Sequence, residues 1–405
     1  MNIGVIGMGF VGSVTAALLA DQGNSIIALD VDSEKIGRFN SEDIPIFEPG
    51  LKDLMLKNEK NLKFTTDYKT LKNSEIIFLA VPNPHLNGKI NLDYVYKAID
   101  SIKLVNNDAL IVIKSTVILG TGSKIKNEFN VKIVSNPEFL RDGNAIEDTL
   151  HPDRVIVGGE EEYKEEVANI WKFTNAPILI TTRENAVLIK YASNSFLATK
   201  ISYINEIANL CEMIPNSDVE TVAKGMGCDR RIGPLFLKAG IGYGGSCFPK
   251  DTEAFITYAQ ELGEDLKTIK ATKNVNEDRI IRIMDILRKK FVKIKGLKIL
   301  QLGISFKENT NDLRESQALK LYHLLIENGT EVTVFDPVNS VGGINFCKNL
   351  DYCLNDVDAI VVATEWPEFK KIETMNIRIP IIDGCRIFNP EKFKKYTRIG
   401  GFCGD

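Results

Sequence analysis

At 405 residues the chain is too long for one ordinary core and long enough for two or three domains. Hydrophobic residues make up 44% and the formal net charge is −4, which excludes global disorder and a chain that binds nucleic acid as a whole. Seven cysteines without a CxxC pair and only three histidines argue against a zinc ribbon, a disulfide scaffold or histidine-based metal chemistry.

Residues 2–7 read as an apolar strand, followed by Gly7-x-Gly9-x-x-Gly12 and an apolar helix to Gln22. Residues 25–30 are a second strand ending at Asp30, and short apolar runs follow at 75–81, 109–114, 131–135 and 154–158. Strands alternating with helical segments predict a doubly wound, mostly parallel sheet in a first domain spanning 1–182. Residues 183–214 lack Gly and Pro and repeat apolar residues near the helical period, including Val187, Phe196, Ile204 and Leu210. They predict a helix of roughly 45 Å that links two domains and offers a dimer seam. Helical patterns continue to about Val292, giving a central helical, dimerising domain over 183–295. A second α/β domain is expected over 296–405, with strands at 298–302, 331–335, 359–363 and 379–382 and a helix at 317–327. The fold class is therefore α/β: two Rossmann-like domains joined by a long central helix and a helical dimerisation region. No apolar run approaches the roughly 20 residues of a membrane helix, and no signal peptide precedes the first strand. A cytoplasmic chain with no membrane or nucleic-acid partner is the expectation.

The first glycine turn carries chemistry. It follows a strand, opens a helix, and has an acid 23 residues after Gly7. In that context Gly7 permits the tight turn, Gly9 lets a pyrophosphate approach, and Gly12 packs helix on strand, with Phe10 and Val11 between them. The helix N-terminus favours the phosphate charge. Asp30 is expected to bind the adenosine ribose and repel a 2′-phosphate, favouring NAD over NADP. Lys35 either softens that exclusion or is a solvated helix lysine. The corresponding turn of the second α/β unit lacks the glycines and offers Phe306, Lys307 and Arg314 instead. Cations and an aromatic ring suit a nucleotide diphosphate held by charge and stacking.

Between these units lies Gly240-Ile241-Gly242-Tyr243-Gly244-Gly245-Ser246-Cys247-Phe248-Pro249-Lys250-Asp251. Pro249 suits a first helical turn, and residues 252–262 read as that helix. Cys247 is then expected just before a helix N-terminus, where the macrodipole and Lys250 would favour its thiolate. The plainer alternative is a glycine turn beside a small buried cysteine.

This segment resembles the catalytic cysteine motif of the UDP-glucose/GDP-mannose dehydrogenase family. Lys114-Ser115-Thr116, Asn136-Pro137-Glu138-Phe139-Leu140-Arg141, Pro152-Asp153-Arg154-Val155, Lys190-x-x-x-Asn194 and Asp229-Arg230-Arg231-Ile232-Gly233 agree in order and spacing, so the resemblance spans residues 1 to about 390. Within the family the chain is most similar to members acting on UDP-glucose. Relatives acting on N-acetylated UDP-sugars tend to carry a histidine where this chain has Ser246.

The resemblance implies a four-electron oxidation with NAD as hydride acceptor, through a thiohemiacetal and then a thioester on Cys247. It makes Lys190 and Asn194 oxyanion stabilisers, Asp251 a base acting through a water held by Thr116, and Glu138 the base of thioester hydrolysis. Read as residues alone, Glu138 could be a turn acid and Asp251 a helix-start charge. The resemblance also implies cofactor contacts from Pro82, Ser115, Thr116, Asp142, Lys250 and Arg314. Substrate contacts are implied for Glu138, Phe139, Leu140, Lys190, Asn194, Phe236, Lys238, Tyr243, Gly244, Cys247, Phe306, Lys307 and Arg386, with Arg231 reaching the sugar site of a partner copy. Lys238 read alone is a surface lysine. The chain departs from the family pattern at Asp142, where Glu is common, at Asn83 in Val81-Pro82-Asn83-Pro84, and at Cys385, where Arg is frequent. The alternatives kept open are another nucleotide-sugar dehydrogenase, a two-electron hydroxyacid dehydrogenase, and a silent nucleotide-binding subunit.

Overall fold

The structure, a computed structural model, describes residues 1–86 and 88–402, so Cys403 lies outside the described residues. The chain divides into two compact units, Met1–Ser193 and Asn194–Asp405.

The first unit is built on strands β1 (Asn2–Ile6), β2 (Ser25–Leu29), β3 (Leu62–Thr65), β4 (Ile76–Leu79), a small hairpin of β5 (His85–Leu86) and β6 (Lys89–Ile90), then β7 (Leu110–Ile113), β8 (Ile133–Ser135), β9 (Val155–Gly158) and β10 (Ile178–Thr181). All but the hairpin form one sheet in the order β10-β9-β8-β7-β4-β1-β2-β3. Its neighbours are parallel except β8 and β9, which meet antiparallel at Ser135 and Gly158. Strands β1, β4 and β7 are buried almost throughout, as expected of a sheet covered by helices on both faces. Sequence order reverses at β1, which pairs with β2 on one side and β4 on the other, the position where open α/β sheets bind ligands. The expected strands are present; β1, β2, β4 and β7 stop one or two residues before their apolar runs do, whereas β8 and β9 end where theirs end, and β3 and β10 join the sheet in addition. Gly7, Asp30, Lys114 and Asn136 fall just beyond the carboxyl ends of β1, β2, β7 and β8.

The second unit carries β11 (Lys298–Leu302), β12 (Glu331–Phe335), β13 (Ala359–Val362), β14 (Ile381–Asp383) and β15 (Tyr396–Arg398), all parallel, in the order β12-β11-β13-β14-β15. Ile299, Val334 and Val361 point into a core shared with Ile283, Leu287, Leu321 and Leu325 of the helices Lys267–Lys290 and Gln317–Glu327. Leu300, Ile360 and Ile381 face the opposite core with Trp366 and Phe369.

The long helix runs Arg183–Cys211, 29 residues or about 43 Å at 1.5 Å per residue, three residues shorter at its end than the pattern extends. The Ser217 hydroxyl donates to the Cys211 carbonyl at 2.8 Å, and Asn216 is left-handed at φ 64°, so the chain turns before Ile214 can add another turn. Cys347 and Cys353 form a disulfide across a six-residue separation on the β12 side of the second unit, a local staple that CxxC counting does not detect and that is not a disulfide scaffold.

Candidate active site

In the first unit two of the three fingerprint glycines, Gly7 and Gly12, have a steric reason within the protein. Gly7 sits at φ +95°, and a Cβ there would come within 2.6 Å of the Ala80 carbonyl oxygen. A Cβ on Gly12 would lie 1.9 Å from the Gly7 oxygen. Gly9, the N-cap of the helix Phe10–Asp21, has nothing within 4 Å of its Cβ position, so an open cradle faces the helix amides. Asp30 accepts from the Met8 amide at 2.8 Å and from Lys35 Nζ at 2.9 Å. Lys35 is thus drawn onto the carboxylate and is not a solvated helix lysine.

Beyond β7, the Ser115 hydroxyl donates to the Val81 carbonyl at 2.7 Å, and the Asn83 amide donates to the Thr116 carbonyl at 2.8 Å. The Asn83 departure therefore ties the Pro82 loop to the Thr116 loop. Thr116, Ser115, Pro137, Val187 and Lys190 line one small cavity. Asp142 lies on a turn held by the buried Glu48, whose carboxylate accepts from the Gly143 and Ala145 amides at 2.8 and 2.7 Å. Sequence reading gave Glu48 no role, since its partners lie 95 and 97 residues away.

Lys190, which lines the cavity, belongs to a buried charge cluster. Lys190 Nζ donates to Glu138 Oε1 at 3.0 Å, and the Leu140 amide donates to Glu138 Oε2 at 2.7 Å. Phe139 is stacked under the Arg154 guanidinium at 4.0 Å, with Lys190 Nζ 5.2 Å from its ring centre. Burial alone would raise the Glu138 carboxyl, but the Lys190 charge, the Leu140 amide and the Lys114 charge together hold it below the usual carboxylate range. Glu138 is a carboxylate with a buried cation and not a simple turn acid.

Lys114 received no individual role from the sequence. Its ammonium lies 3.4 Å from Asn136 Oδ1 and 4.6 Å from the Trp171 ring centre. Burial, with Lys190 adding repulsion and Glu138 opposing, pushes its pKa down to about 8 from 10.5. The folded state releases this proton near pH 8 and the unfolded state near 10.5, so between those values the unfolded state holds more protons and stability rises with pH. Below pH 8 folding carries the full cost of the buried charge. Lys114→Met is therefore expected to stabilise the chain at pH 7 by on the order of 2 kcal/mol. That gain should fade as pH rises from 8 to 10.5. Denaturant midpoints at pH 7 and pH 10 check this, and an equal gain at both contradicts it.

In the second unit the helix begins at Phe248, not residue 252, and runs to Glu261 with Pro249 in its first turn. The Cys247 carbonyl accepts the first helical bond, from the Asp251 amide at 2.9 Å, which makes Cys247 the N-cap itself. Asp251 is 0% exposed. Its carboxylate accepts from Asn194 Nδ2 at 2.7 Å and pairs with Lys250. Asn194 and Lys250 are thus both engaged with Asp251, which anchors the thiol-bearing turn.

The glycines before Cys247 make room for protein neighbours. A Cβ on Gly245 would fall 2.8 Å from the Phe306 ring, one on Gly244 2.5 Å from the Glu315 oxygen, and one on Gly242 2.6 Å from Asn276 Oδ1. Phe306 packs on this loop, with Lys307 Nζ 5.7 Å from its ring centre. Tyr243 and Phe236 pack around Phe248 at 5.9 and 6.1 Å.

Lys238 pairs with Glu365, a partly buried acid at the end of β13 that sequence reading passed over. Arg314 forks onto Asp312, with its side chain 69% exposed. Arg231 forks onto Asp229 with its side chain 89% exposed. Arg386 is the clearest correction. Its side chain is 4% exposed, donating to Asp218 at 2.6 Å and to the Ile399 carbonyl at 2.6 Å, so it braces β15 and offers nothing to a ligand. Cys385 beside it is also buried, with its thiol pushed well up by burial. Among the described residues no helix is long and apolar enough to cross a membrane, and no group of acids, histidines and cysteines could hold a metal.

Comparison with known proteins accounts for this arrangement. Residues 1–174 match the NAD binding domain of the UDP-glucose/GDP-mannose dehydrogenase family, 184–278 its central domain and 300–390 its UDP binding domain. UDP-glucose 6-dehydrogenase TuaD of Bacillus subtilis is 39% identical over 97% of this chain and 91% of its own length. The UDP-glucose 6-dehydrogenase of Rhizobium meliloti is 40% identical over 92% and 91%. Among solved structures, a UDP-glucose dehydrogenase from Pyrobaculum islandicum superposes with a TM-score of 0.93 at 32% identity, covering 99% of this chain and 98% of that one. A UDP-D-ManNAc dehydrogenase from Pyrococcus horikoshii superposes at 0.88 and 27% identity, covering 99% of both. The open cradle at Gly9 and the carboxylate at the end of β2 fit NAD, and the chain is an NAD-dependent oxidoreductase belonging to the UDP-glucose/GDP-mannose dehydrogenase family.

Proposed function

We propose that the chain oxidises the C6 alcohol of UDP-glucose to the carboxylate of UDP-glucuronate, with Cys247 as the covalent nucleophile. The observation that carries this reading is the thiol at the N-cap of the helix Phe248–Glu261, on a turn anchored by the buried Asn194–Asp251 pair. The identity to relatives named for UDP-glucose supports the choice of sugar.

NAD, held at Gly7–Gly12 and Asp30, would supply the hydride acceptor for two successive two-electron oxidations. The chain's residues do the rest. An aldehyde carbon has no hydride to give until a nucleophile makes it tetrahedral. Addition of the Cys247 thiolate forms the carbon–sulfur bond and leaves an oxyanion, which the Lys190 ammonium stabilises. Loss of the second hydride leaves a thioester. Glu138, held ionised, takes a proton as water attacks that carbonyl, and the carbon–sulfur bond breaks to return the thiol. Phe306 and Lys307 suit the uracil ring and diphosphate at the carboxyl end of β11.

The test is turnover with NAD across a panel of UDP- and GDP-sugars, following NADH and product mass. Two NADH per UDP-glucuronate is expected. One NADH per product, or reaction only with GDP-mannose or an N-acetylated UDP-hexosamine, rejects the assignment.

We also propose that the chain is a homodimer through its long helix. Phe196, Tyr203 and Leu210 recur every seven residues and are 65, 50 and 54% exposed, and Met213 and Ile214 extend the patch. Such a stripe is costly to leave in water. The exposed Arg231 suits a contact with the second copy. Light scattering should give twice the chain mass, falling to a monomer when Phe196 and Tyr203 are changed to Glu. A monomeric wild type rejects it.

A further inference from the structure

The segment leading to the thiol has no helix or strand of its own from residue 228 to 247, so other groups must satisfy its backbone. One side chain dominates. Asn276, 5% exposed on the helix Lys267–Lys290, accepts from the Tyr243 amide through Oδ1 at 2.7 Å and donates to the Tyr243 carbonyl through Nδ2 at 3.0 Å. Its side-chain amide meets one residue with both a donor and an acceptor, as a neighbouring β-strand would. Gly242 is shaped for it: at φ +108° its missing Cβ leaves the space that Asn276 Oδ1 occupies. Two residues further, the Gly245 amide donates to the Arg314 carbonyl at 3.0 Å, and Cys247 is then fixed as the N-cap.

We propose that Asn276 is the positioning residue of the thiol, setting where Cys247 stands by clamping Tyr243 four residues before it. Only three residues separate the clamp from the sulfur, and the middle one is tied. Little slack remains for the thiol to move while Asn276 is in place. Arg279, one turn on along the same helix, reinforces the hold by donating to the Gly240 carbonyl at 3.0 Å. Asn276 touches neither thiol nor substrate in this role. It acts on the nucleophile's position, where misplacement by about 1 Å costs about 100-fold in rate. The inference rests on the reading of Cys247 as nucleophile.

The experiment compares wild type with Asn276→Ala, Asn276→Asp and Gly242→Ala in the full chain. Asn276→Asp keeps the acceptor and the shape, so it covers the case in which the alanine variant does not fold. Asn276→Ala and Gly242→Ala are expected to lower kcat about 100-fold with KM for UDP-glucose and NAD within about two-fold of wild type, and Asn276→Asp to fall between. An unchanged kcat, or a loss that appears only as a raised KM, overturns the proposal. The rate of Cys247 alkylation by iodoacetamide, read by mass spectrometry, does not depend on the sugar. A change of about five-fold or more at unchanged melting temperature supports positioning even if UDP-glucose is not turned over, and an unchanged rate overturns it. Failure of wild-type turnover with intact alkylation differences would reject the substrate assignment alone.

Discussion

Cys247→Ala is expected to abolish formation of the acid while leaving the chain folded. The thiol caps no backbone group with its side chain, so alanine removes the nucleophile and little of the helix start. Without a covalent adduct the aldehyde cannot yield its second hydride, and acid output should fall by more than about 10³-fold. The first oxidation needs no thiol, so a single NADH and a UDP-linked aldehyde should still form. Product mass and NADH count distinguish the outcomes, and undiminished acid from the variant would remove Cys247 from the mechanism. Cys385 provides the contrast. It is buried with its thiol pushed well above its ordinary pKa, so iodoacetamide should label Cys247 long before it.

The second large effect is expected from Lys190→Ala, in stability as well as rate. Lys190 and Glu138 have side chains 4% and 8% exposed and lie 3.0 Å apart. Removing the ammonium strands a buried carboxylate, a loss of about 3–5 kcal/mol when one partner of a buried pair is deleted. Glu138 is held below its ordinary range in the folded chain, so its pairing stabilises at pH values above 4.5 and is lost as the pH falls through the lower folded value. The stability gap between wild type and Lys190→Ala should thus be widest near neutral pH and narrow in acid. Under the proposed mechanism the rate should fall about 10²–10³-fold, because the oxyanion would lose its preorganised cation. A gap that does not depend on pH would show that Glu138 is not its partner. Lys114→Met, on the other side of the same cluster, is expected to act in the opposite direction at neutral pH. It deletes a buried cation in excess, while Lys190→Ala deletes one that is needed.

Much of this architecture could be read from local pattern. The strands of both sheets are short apolar runs because both faces are covered, and such runs are visible without tertiary information. The first glycine fingerprint is equally local: Gly7, Gly9 and Gly12 serve a single turn, and Asp30 ends the next strand. Lys190 and Asn194 were legible as residues one helical turn apart, but not the acid that each meets. Glu138 lies 52 residues from Lys190, and Asp251 57 residues from Asn194.

By itself the sequence determined the α/β class, the NAD turn and the thiol at a helix start, because each depends on residues within a few positions of one another. Only the tertiary structure decided what those residues face. It turned Arg386 inward to Asp218, 168 residues away, and brought Phe306 onto Gly245. It also set Asn276 against Tyr243, 33 residues away. The physical reason is that a buried polar group must find a partner wherever the fold supplies one, and a glycine marks a close approach without naming what approaches.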